Sequence, residues 1–105
     1  MDDPLRDEVR RLRQEHVDQP FPPRLRGEVI EGVDMVMVDA DIAGCVQVWL
    51  GSSSNLDSAW IGILRTCRDE VERVLPSLTE PVERQYYAVL RDLANAVLQA
   101  QRGWA

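Results

Sequence analysis

Apolar residues recur along this chain at helical spacing near both ends, and in a denser, ambiguous pattern through the middle. Leu5, Val9, Leu12 and His16 follow one another at three and four residues behind Asp3-Pro4. An Asp ahead of a helix can accept a first-turn N–H, and a proline in the first turn has no N–H to leave unpaired. The stripe is narrow, with Arg6, Arg10, Arg11 and Arg13 on the other faces, and predicts a first helix ending near Asp18. Gln19-Pro20-Phe21-Pro22-Pro23 cannot extend it, because proline lacks the backbone donor and disfavours a helical residue before it. Residues 19–24 are therefore predicted as a stiff connector, with Phe21 available to pin it onto the core.

The second half is as regular. Asn55-Leu56-Asp57 precedes a stretch in which Ile61, Leu64, Arg68, Val71 and Leu75 share one face, the arginine laying its stem along apolar surface. Pro76 stops it. Thr79 as N-cap, Pro81 in the first turn and Glu83 beyond open a last helix, along which Tyr86, Leu90, Leu93, Ala94, Val97 and Leu98 repeat at three and four residues until Gly103. The two form an antiparallel helical hairpin.

Residues 28–50 admit two readings. Every even position from Val36 to Leu50 is apolar or glycine, which suits a β-hairpin turning at Asp39-Ala40-Asp41. At 100° per residue, however, Glu28, Glu31, Asp34, Asp39 and Asp41 fall within a single arc of roughly 160°, opposite Val29, Val33, Val36, Ala40, Ala43 and Gly44. A two-residue period instead divides the acids between both faces. Gly51 suits the left-handed position past a helix end, and Ser52-Ser53-Ser54-Asn55 then makes a short turn into the next helix. The favoured expectation is a helix, with Gly32 able to delay its start and residues 25–31 able to be extended. The fold class is accordingly all-α, a four-helix bundle-like single domain over residues 1–105; the alternative is an α+β domain with a central hairpin at 28–50 and three helices.

Length and composition agree with one domain: 105 residues, 45% hydrophobic and 29% charged, lie well away from the disordered corner of composition. The start lacks the basic and apolar regions of a secretory leader, and acids interrupt every apolar run short of a bilayer span, so a cytoplasmic protein without membrane contact is expected. Cys45 and Cys67 are then reduced thiols. The formal charge of −6 is localised: residues 27–63 hold Glu28, Glu31, Asp34, Asp39, Asp41 and Asp57 and no arginine, while the flanks balance. All basic residues are arginine and none form a cluster, which argues against nucleic-acid binding.

No phosphate loop, nucleophile elbow or zinc-protease motif occurs, so neither a cofactor nor catalytic machinery is expected. His16 reads as a helix-end residue rather than a general base or metal ligand. On a helical middle segment, Met35, Val38, Ile42, Cys45, Val46 and Trp49 project beside the acids, where a lone bundle would leave several wet. Trp49 and Trp60 bracket the serine turn, either as a core plug that closes the end of the bundle or as aromatic anchors for a partner. These features predict a non-enzymatic interaction or adaptor module, a homodimer contacting through Met35, Val38, Ile42, Trp49 and Trp60, with an acidic central surface for a basic protein partner. The alternative is a small metal- or ligand-binding protein in which Glu31, Asp34 and Asp41, within about 80° on a helix, converge on a hard cation.

Overall fold

A computed structural model describes residues 3–51 and 56–102. Helix α1 spans Pro4–Asp18, and Asp3 caps it by accepting from the N–H groups of Leu5 and Arg6 at 3.1 and 3.2 Å. Gln19 to Pro22 then run without helix or strand. Phe21 packs on the core, and Pro23–Leu25 tightens into a single 3-10 turn that buries Leu25.

The middle segment takes something from each reading. Strands β1 (Val29–Ile30) and β2 (Val33–Asp34) pair antiparallel, Val29 opposite Asp34 and Ile30 opposite Val33. Between them Glu31 and Gly32 both have positive φ, 52° and 77°, the conformation of a two-residue turn whose twist matches that of the strands. Two consecutive residues with positive φ exclude a helix there. Helix α2 therefore runs Met35–Gly51, not from Glu28, and Asp34 caps it, its Oδ1 accepting from Val36 and Met37 N–H at 3.1 and 3.0 Å. The hairpin turns at Glu31-Gly32 rather than at Asp39-Ala40-Asp41, which are helical. Gly51 is the last helical residue and does not take the left-handed conformation expected of it. The predicted turn at Ser52-Ser53-Ser54-Asn55 and the stop at Gly103 lie outside the described residues.

Helix α3 spans Ser58–Val74, capped by Asp57 through Trp60 N–H at 3.0 Å, and passes into a 3-10 turn at Leu75–Ser77 that contains Pro76. Helix α4 spans Pro81–Arg102. The Glu80 carbonyl accepts the Arg84 N–H at 3.0 Å, so Glu80 rather than Thr79 stands at the N-cap.

Cross-helix bonds fix the arrangement. Arg6 Nη2 donates to the Leu50 carbonyl while His16 meets Asp39, so α1 runs antiparallel to α2. Tyr87 reaches the Met35 carbonyl, and Arg68 bonds Asn95, which sets α4 parallel to α2 and antiparallel to α3. The four helices form an up-down-up-down bundle with the two-stranded hairpin at one end. One hydrophobic cluster, including Val9, Ile42, Trp49, Leu64, Tyr87 and Leu90, draws on all of them. Among the described residues no helix is long and apolar enough to cross a membrane.

Candidate functional site

Three polar side chains from three helices meet where α1 ends. His16 Nε2 lies 2.7 Å from Asp39 Oδ1 and 3.1 Å from Tyr86 Oη, and the Tyr86 hydroxyl donates to the same Oδ1 at 3.0 Å. A carboxylate can only accept, so Nε2 carries the hydrogen on this side of the imidazole. Burial first, and then the negative charge of Asp39, push the Tyr86 phenol well above its ordinary range, which keeps it a donor. The rings of His16, Phe21 and Tyr87 surround Tyr86 at centroid distances of 5.3, 5.7 and 5.2 Å. His16 is thus more than a helix-end residue, because its partner sits 23 positions away on another helix.

Beside this junction lies a cleft of about 100 Å³ between α1, α2 and α4, with Arg13, His16 and Gln47 as its polar lining. That is space for a few waters, each taking about 30 Å³ in the liquid. No hydroxyl or thiol nucleophile lines it. The two cysteines are free and buried, and burial raises their thiols to about 11 for Cys45 and about 12 for Cys67, far from the thiolate that nucleophilic chemistry requires. The arrangement fastens α1 to α2 and α4.

The acids expected to converge on a cation are dispersed. Glu31 sits in the hairpin turn and accepts from Ser77 Oγ at 3.2 Å; Asp34 is spent on capping α2; Asp41 stands exposed beside α3. Among the described residues no group of three or more His, Cys, Asp or Glu side chains could hold a metal ion. The shared arc required one continuous helix from Glu28, and the turn at Glu31-Gly32 removes it.

The residues expected at a dimer interface are occupied too. Met35, Val38, Ile42 and Trp49 are buried within this chain's own core, and Trp60 is half-buried with its carbonyl facing the Cys45 thiol. With α1, α3 and α4 all against α2, its inward arc is wider than a lone helical wheel suggests. What α2 exposes is different: Met37 at 55% and Val36 at 37%, joined by Val29 at 62% on β1. Glu28, Glu31, Asp34 and Asp41 are exposed on the same stretch of chain.

On the far side of Asp41, α2 and α3 leave an open groove of about 510 Å³ above the buried Cys67. Asp41 and Glu70 both stand near enough to that thiol to add to the rise that its burial causes.

One polar pair escaped the sequence entirely. Glu83, read as a first-turn acid of the last helix, is only 6% exposed and takes both a 2.9 and a 2.6 Å bond from the Arg24 guanidinium, 59 residues away. Nothing local marks that pairing.

The chain matches no protein-family model, no curated protein and no solved structure.

Proposed function

We propose that this protein is a non-catalytic helical interaction module that binds a basic protein partner on the face formed by the hairpin, the outer side of α2 and its border with α3. The observation that carries the reading is the combination of sign and polarity on one stretch. Residues 27–63 contain six acids and no arginine, and Glu28, Glu31, Asp34 and Asp41 are exposed there among the uncovered apolar side chains Val29, Val36 and Met37. Apolar contact supplies binding energy, while a single sign of charge around it selects the partner and speeds encounter.

Self-association does not belong to this reading. The inward residues that motivated a dimer are consumed by the chain's own core, and two copies of one acidic face repel.

The full chain, immobilised, tests this by capture from a lysate of the source cells. The expected result is a basic protein that is retained at low salt, is released as salt screens charges beyond about 10 Å at 0.1 M, and is not retained by a Glu28→Arg/Glu31→Arg/Asp41→Arg variant. Retention that ignores both salt and charge reversal removes the reading.

A further inference from the structure

Two glycines make no sense within the chain alone. Gly44 and Gly62 lie inside α2 and α3, where glycine costs roughly 1 kcal/mol relative to alanine. Neither adopts positive φ. A methyl group on either would meet no atom within 4 Å outside its immediate helical surroundings. Neither backbone conformation nor internal packing calls for them.

Gly62 lines the α2–α3 groove, and Gly44 lies on α2 one turn beyond Asp41, which lines the groove from the other side. Asp41 lines it from α2 and Gly62, Ile63, Thr66 and Glu70 from α3, while Met37 and Gly44 stand one turn to either side of Asp41 along its helix. Ile63 on the groove wall and Met37, one turn from Asp41, are 44% and 55% exposed, two large apolar side chains left half open to solvent. Helix axes pack 8–10 Å apart depending on the side chains between them, so small residues at a contact allow the closer approach.

We infer that this groove docks one amphipathic helix of a partner protein, its apolar stripe over Gly62, Ile63 and Met37 and its flanking Arg or Lys residues against Asp41 and Glu70. The inference rests on the interaction-module reading and specifies the binding element. Charge selects the occupant: the charged residues lining the groove are both acids, and Arg73, one turn beyond Glu70, instead donates to the Glu31 carbonyl at 3.3 Å. A second copy of this chain is a poor occupant. Of the four arginines in its most arginine-rich helix, α1, Arg10 pairs with Asp7, Arg11 pairs with Glu8 and Glu15, and Arg6 is held by the Leu50 carbonyl. An amphipathic helix laid in a groove is a recurrent recognition mode whose anchors repeat at i, i+3, i+4 and i+7.

The test uses a fluorescent peptide of about 18 residues, long enough as a helix to span the groove at about 27 Å, with leucine at i, i+3, i+4 and i+7, arginine beside that stripe and alanine elsewhere. Anisotropy with the full-length chain should give saturable binding that weakens with salt and vanishes when every arginine of the peptide is replaced by glutamate. Gly62→Leu should weaken binding roughly tenfold or more by filling the groove, although leucine is the better helix former. Asp41→Arg, at an exposed position, should do the same without touching the core. Glu28→Arg/Glu31→Arg, at the hairpin end of the proposed face, should weaken binding less than Asp41→Arg does. Absence of saturable binding, or equal affinity for wild type, Gly62→Leu and Asp41→Arg, overturns the groove. Loss confined to the hairpin variant also overturns it, while leaving the broader module reading to stand on the capture experiment.

Discussion

Replacing Gly62 or Gly44 by alanine should raise the stability of the chain, against the common experience that most substitutions lower it. Both positions are helical, and alanine exceeds glycine in helix propensity by about 0.8–1.0 kcal/mol because the unfolded glycine chain has more freedom to lose. The added methyl group meets open space at each site, so no repacking cost offsets the gain. The expected change is therefore about 0.5–1 kcal/mol for each substitution. At roughly 4–8 °C per kcal/mol for a domain near this size, that is a rise in Tm of about 2–8 °C. Urea denaturation followed by far-UV circular dichroism should show a higher midpoint at unchanged slope, since the surface exposed on unfolding hardly differs. A lower midpoint for either variant would mean that the glycine serves the fold, and the argument that its small size faces outward would fail.

Other consequences can be checked on the same protein. Asp39→Ala removes the acceptor shared by His16 and Tyr86 and should cost about 1–3 kcal/mol, more than Tyr86→Phe; equal effects would mean that the three groups do not act as one junction. Arg24→Gln should lower Tm, because it leaves the buried Glu83 carboxylate without its partner, whereas Arg24→Gln combined with Glu83→Met should recover much of the loss; no recovery would refute the pairing. The cysteines predict an alkaline limb. Burial raises both thiols above the free value of 9.0, so the folded state holds those protons more tightly than the unfolded chain does. Their contribution to stability is full below pH 9.0 and is lost as pH rises toward about 11 and about 12, so Cys45→Ala/Cys67→Ala should flatten that decline relative to wild type. A decline of equal slope in both proteins would contradict the burial of the thiols.

Three of the four helices were legible because their signals are local. Asp3-Pro4, Asp57 and Pro81 mark starts, prolines mark the breaks, and apolar spacing supplies the inward faces. The middle segment was harder because its decisive feature is a backbone conformation at two residues. Glu31 with positive φ is an unusual choice for a two-residue turn, and without the turn the acids of 28–41 fall on one helical arc. Once Asp34 is recognised as a cap, Glu28 and Glu31 leave the helix and the metal set dissolves. The apolar surplus of α2 is visible in the sequence, but what covers it is not, because helix count alone does not reveal that the other three helices all pack against it. Contacts such as His16 with Asp39 and Arg24 with Glu83 join residues far apart in sequence, and one chain carries no local signature of them.

The most direct test of the account is a map of where binding occurs. In ¹H–¹⁵N correlation spectra of the full-length chain titrated with the arginine-bearing helical peptide, the amides of Met37, Asp41, Gly44, Gly62, Ile63 and Glu70 should shift together and saturate at one stoichiometric equivalent, while those of α1 hold still. Shifts scattered over α1 and α4 with the α2–α3 groove silent would contradict it.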